Sequence, residues 1–248
     1  MSPNAKLLLV LFVIAGVVGA IVAVIIASAR AAAKKRAELV ALAASFGLTY
    51  LPKGDKAFVK AWSIVKPLSK NGTAKHVLYG TLNSGLTLTV FEHQYAVSTG
   101  KSVHVITHSV FAVESPDWPK VSLQRRGMVA KWFLDLMGGN RDQPDDDEPE
   151  GPPGFARNWA ILTDDPAFAD HMLTPELRAV IDGAEKVPWW WFDGGKVTVL
   201  IGSALTAEVF RRGVELIEAA CAVLPADLRE AAQSHRAELP PADEYLSM

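Results

Sequence analysis

The chain of 248 residues holds a single cysteine, Cys221, so no intramolecular disulfide is available and a stapled secreted scaffold is excluded. It has almost no excess of one charge. With 25 basic and 27 acidic residues the formal charge is −2, which gives no global reason to expect nucleic acid as a partner. Catalytic and nucleotide-binding signatures are also missing: there is no H-E-x-x-H, C-x-x-C or G-x-S-x-G. Gly195-Lys196 lacks the earlier glycine and the following Ser or Thr of a P-loop. What the chain does not lack is apolar residues. They make up half of it, which excludes a wholly disordered chain, and they concentrate at one end.

Residues 7–29, LLLVLFVIAGVVGAIVAVIIASA, carry no charge. As a helix this run reaches about 34 Å, enough for a hydrocarbon core of about 30 Å. Fifteen of its 23 residues are Leu, Ile, Val or Phe, worth at most roughly −5 to −9 kcal/mol of insertion. A cleaved signal peptide ending at Ala27-Ser28-Ala29 is the rival. The run is longer than an ordinary signal core, and Arg30, Lys34, Lys35 and Arg36 follow at once. The lipid bilayer is therefore the expected partner of residues 7–29. The same four cations, against Lys6 on the other flank, place the N-terminus outside and the rest in the cytoplasm of a single-pass cell-membrane protein. Ala15, Gly19, Ala23 and Ala27 recur every fourth residue and form a strip of small side chains suited to self-association.

The expected division is a tail and transmembrane helix over 1–29, a juxtamembrane helix over 30–47 stopped by Gly47, an α+β domain over 48–225, and a loose polar tail over 226–248. Strands are expected over 76–82, 86–95 and 102–114, forming a half-buried antiparallel meander. Leu86, Leu88 and Val90 share its apolar face with Val103, Val105, Phe111 and Val113. A helix over 128–137 and an acidic, proline-rich disordered insert over 138–154 follow. Asp165-Pro166 and Thr174-Pro175 each start a short helix. A hairpin turns at Asp193-Gly194-Gly195, and Thr206 caps a helix whose buried face carries Phe210, Val214, Ile217, Cys221 and Leu224.

The order of these segments resembles a family of uncharacterised bacterial single-pass membrane proteins, many of them actinobacterial. The resemblance is carried by LAASFGLTY over 42–50, by Phe155, Trp159, Ile161, Thr163, Asp165-Pro166, Phe168-Ala169, Met172-Leu173 and Thr174-Pro175, and by the Trp-rich strand before Asp193-Gly194-Gly195. It spans most of residues 1–225, and the acidic insert departs from it. It implies an N-terminal anchor and a hairpin-rich α+β domain, and carries no activity.

The residues name no catalytic, cofactor-binding or metal site. His93, His104 and His108 are expected on the sheet face opposite the apolar one, His93 lying diagonally between the other two, with Glu92 on the wrong face to join them. An exposed polar surface explains them better than a zinc site, since two histidines four apart on a strand stand about 13 Å apart. Contiguous acids Asp145, Asp146, Asp147 and Glu148 read as solvated, Ser203 as a turn residue, and Cys221 as core. Trp189, Trp190 and Trp191 pack inside only if both sheet faces are covered; otherwise they offer an aromatic contact. The expected function is a non-enzymatic, membrane-tethered binding or scaffolding module with a protein partner. The alternatives are an enzyme assembled on the histidine face with Asp164 or Asp165, and an exported sensor domain.

Overall fold

The computed structural model describes residues 3–62, 72–98, 103–126, 155–184, 187 and 189–238. The expected helix over 128–137 and the acidic insert over 138–154 lie outside them. The chain begins with one continuous helix, α1 (Pro3–Ser45), that contains a stretch long and apolar enough to cross a membrane. Nothing in its sequence interrupts it: no proline follows Pro3, and Ala and Leu dominate the stretch after the apolar run. Gly47 ends it with φ at 70°. The Leu48 N–H reaches the Ala43 carbonyl at 2.8 Å and the Gly47 N–H reaches Ala44 at 3.2 Å, the paired bonds of a left-handed glycine stop.

Beyond it come β1 (Thr49–Lys53), α2 (Lys56–Trp62), β2 (Thr73–Thr81), β3 (Thr87–Ser98), β4 (Val103–Glu114) and β5 (Val121–Arg125). Then follow α3 (Phe155–Asn158), β6 (Trp159–Thr163), α4 (Pro166–Met172), α5 (Pro175–Gly183), β7 (Trp189–Asp193), β8 (Lys196–Ile201), α6 (Ala207–Ala222) and α7 (Ala226–Glu238). The eight strands form one antiparallel sheet in the order β1-β2-β3-β4-β8-β7-β5-β6. The fold is α+β, as the sequence indicates. The caps are also as expected: Asp165 Oδ1 accepts the Phe168 N–H, and Thr174 Oγ1 accepts that of Leu177. Gly194 and Gly195, with φ of 61° and 72°, make the tight turn between β7 and β8.

One sheet face meets the helices. Leu88, Val90, Phe111, Val113, Trp190, Phe192, Val197 and Val199 pack there against Leu39, Leu42 and Ala43 of α1, Leu177 and Ile181 of α5, and Phe210, Val214 and Ile217 of α6. Phe46 meets Phe210 edge-on at 5.1 Å. The other face is not the open polar surface that the sequence suggests. Phe91, Val110, Ala112, Trp189, Trp191 and Leu200 are buried there beneath Trp62 and Phe58 of α2. With both faces covered, all three consecutive tryptophans are internal, Trp190 on one side and its neighbours on the other.

Two further expectations change. The segment after Pro225 does not run loose: through Glu238 it is α7, because Leu228 and Ala232 find a place in the core. The apolar set on the meander's helix-facing side is not all buried either. Val103 and Val105 do lie on the same face as Leu88 and Val90, but each is 67% exposed. The helices that cover this face stop short of the hairpin's end.

Candidate functional site

Two polar constellations stand inside the sheet's apolar covering. The first is built on β3. Its helix-facing residues run Leu88, Val90, Glu92, so the alternation that buries two apolar side chains buries a carboxylate next. Glu92 has its donors in place. Oε2 accepts Lys35 Nζ at 2.6 Å and the Leu205 backbone N–H at 2.9 Å, and Oε1 accepts Gln94 Nε2 at 2.8 Å. Gln94 Oε1 in turn accepts Lys75 Nζ at 2.7 Å. Three charge-assisted bonds offset the desolvation of one carboxylate. Together they tie α1, the β3 strand and the turn leading into α6 to a single point.

β2 is irregular beside it. Between Lys75 and Leu78 the pairing with β3 slips by one residue, and His76 takes a φ of 51° in the resulting bulge. Its Nδ1 lies 2.7 Å from the Tyr50 hydroxyl. Burial is the first cause that lowers the His76 pKa, followed by the Lys35 charge.

The second constellation occupies the opposite face. His93 stands directly across from His108, and His104 across from Val97. The strands close at Ser98–Val103, two residues off the expected pairing; a slip of two keeps every side chain on its face while changing its neighbour. His93 and His108 are buried, whereas His104 is exposed. A row of rings results: His93 to Tyr95 at 5.3 Å, Tyr95 to His108 at 5.9 Å, His108 edge-on to Trp189 at 5.7 Å, and Trp189 to Trp191 at 6.1 Å. A Cβ added to Gly72 would fall within 2.0 Å of His93 Nε2, so the backbone passes against this ring. Among the described residues, neither ring nitrogen of His108 nor the Tyr95 hydroxyl has a hydrogen-bond partner.

Burial, with the neighbouring His93, pushes the His108 pKa down to about 4, and burial pushes that of Tyr95 up to about 12. At neutral pH the row is thus uncharged at both groups. It offers a polar spot inside an aromatic wall, and supplies neither a strong base nor a cation.

The remaining sequence candidates do not converge on it. Glu92 lies on the other face, as expected, and Asp164 and Asp165 follow β6, four strands beyond β4, about 19 Å away. The Asp165 carboxylate is taken up in capping α4. Among the described residues no three His, Cys, Asp or Glu side chains gather to hold a metal. Ser203 sits in the turn before α6, where its carbonyl accepts the Ser109 hydroxyl at 2.8 Å. Cys221 is half-buried against the core, and burial pushes its pKa to about 12, far from a reactive thiolate. It borders a cavity of about 240 Å³ between α6, α7 and Trp118, with Glu218, Arg229 and Arg236 at its wall, smaller than ordinary small-molecule sites of about 300–1,000 Å³. Asp145 to Glu148 lie outside the described residues. Ala15, Gly19, Ala23 and Ala27 are exposed on α1, with open space beside Gly19.

These features define an eight-stranded α+β domain joined without a break to an apolar N-terminal helix. No family model matches the sequence, and no curated protein does. Among solved structures it is similar to the mycobacterial trehalose monomycolate transport factor A, TtfA, at 14% identity and a TM-score of 0.48, over 83% of this chain and 96% of that one. A likeness of this degree says nothing about what this chain binds.

Proposed function

We propose that the protein is a single-pass membrane protein whose α+β domain lies at the cytoplasmic face and acts as a non-enzymatic binding or scaffolding module. The observation that supports this most is the junction at Glu92. A tethered enzyme needs only a flexible leash, whereas here α1 passes from its apolar stretch into the core with no linker. Lys35, six residues after the end of that stretch at Ala29, is bonded to a buried carboxylate of the central sheet. Such an attachment holds a surface at a set height and angle over the bilayer, which is what a scaffold requires. The basic cluster from Arg30 to Arg36 supports the cytoplasmic side. The small-residue strip around Gly19 supports pairing of two anchors.

The test is a flexible eight-residue Gly/Ser insert between Ala32 and Ala33, which frees the domain while leaving Lys35 and its contacts intact. Crosslinking in native membranes should then lose the partners seen with the unmodified chain. An unchanged crosslinking pattern sinks the scaffold. Topology is tested separately: a reporter active only in the cytoplasm, fused after Leu224, should give signal, and the reverse result overturns the orientation.

A further inference from the structure

We propose that Val103 and Val105, at the start of β4, form a second membrane contact, seated in the interface of the leaflet from which α1 emerges. The inference rests on the anchored reading of α1 and does not depend on which side the domain occupies.

The hairpin's direction is fixed by two contacts. Leu48, just past the end of α1, lies against Gly80, which pairs with Leu88. Lys35, thirteen residues back along the chain, bonds Glu92, four residues further along β3. Moving toward the N-terminus of α1 is therefore moving along β3 toward the hairpin's end. From Lys35 to its end at Ser45 the helix covers about 15 Å, against about 13 Å of strand, so the two run in broadly the same direction.

From Lys35 to Arg30, where the apolar stretch begins, is five residues, or about 7.5 Å. Val105 and Val103 lie four and six residues beyond Ser109, the partner of Glu92 across the sheet. That is about 13 Å and 20 Å along the strand. Both valines thus reach at least the level at which α1 enters hydrocarbon.

What they present there is apolar. Val103 and Val105 are each 67% exposed, and Ala96 and Ser98 stand across from them on the same face. A single exposed valine is ordinary. Two on one face, at the end of the sheet from which an apolar span departs, continue the lipid-facing surface of that span.

The experiment uses the full chain with Cys221→Ala and one new cysteine, Val105→Cys, Val22→Cys or Leu162→Cys, carrying an environment-sensitive nitrobenzoxadiazole probe. Leu162 is exposed on β6, at the far edge of the sheet. The protein is reconstituted in phosphatidylcholine–phosphatidylglycerol vesicles, with nitroxide lipids or aqueous iodide as quencher. The probes at Val105 and Val22 should shift to the blue and be quenched by nitroxide lipid, while the one at Leu162 should answer to iodide alone. If Val105 answers to iodide while Val22 answers to lipid, the hairpin contact is wrong and the anchor stands. If Val105 is shielded from both quenchers, a protein surface covers it and the proposal falls. If Val22 too answers to iodide, the anchor itself is wrong.

Discussion

Lys35 and Glu92 are 57 residues apart in the chain and 2.6 Å apart in the fold, and they join the helix that leaves the domain to β3, an interior strand of the sheet. The carboxylate side chain is 3% exposed and the lysine 29%. The pair therefore lies between a surface bridge worth almost nothing and a sealed ion pair. Lys35→Met should cost about 2–4 kcal/mol in denaturant unfolding, because it leaves a buried charge short of a donor. Glu92→Gln should cost less in the Lys35→Met background than in the native chain. Strict additivity of the two changes would mean that the pair does not couple.

Acid should weaken the domain through His108. Its folded pKa of about 4 lies below the 6.5 of a free imidazole, so the unfolded chain takes up the proton first as pH falls. Its contribution is complete above about pH 6.5 and is lost progressively down to about pH 4, a span of about 3 kcal/mol. His108→Phe should flatten the dependence of Tm on pH across that window. A slope unchanged by the substitution would place the acid sensitivity elsewhere.

Gly213→Ala should destabilise, although alanine favours helix by about 1 kcal/mol. An added Cβ would come within 2.3 Å of the buried Phe111 ring, where α6 crosses the sheet. Overpacking of this kind costs about 1–3 kcal/mol. A raised Tm would show that the ring yields freely.

The isolated anchor should score as self-associating in a membrane two-hybrid assay, and Gly19→Ile should weaken the signal while leaving insertion intact. Equal signals from both would reduce the strip to composition.

The local punctuation of this fold is written in adjacent residues. Gly47, Asp165-Pro166, Thr174-Pro175 and Gly194-Gly195 each do what their neighbours require, because a cap or a turn is a property of four or five residues. Glu92 is different. It breaks an apolar alternation, Leu86, Leu88, Val90, and that interruption is its one signal; the lysine that answers it is a whole hairpin away. The covered histidine face was hidden for a related reason. Its lid is Phe58 and Trp62, on a helix of seven residues too short to show a period. The five-residue β1 and β5 were equally illegible, since strands of that length carry little alternation of their own. Strand order adds a further step that sequence does not show, as β4 pairs with β8, beyond three other strands in the chain.

The uninterrupted α1 has a mechanical consequence. On the anchored reading, an apolar run of about 34 Å in a hydrocarbon layer of about 30 Å is relieved in part by leaning. With no joint between span and sheet, the whole domain leans with it. A thinner lipid mixture would increase the lean, and the far end of the domain would swing with it. The thickness of the bilayer thereby becomes a variable that the domain's outer surface reports.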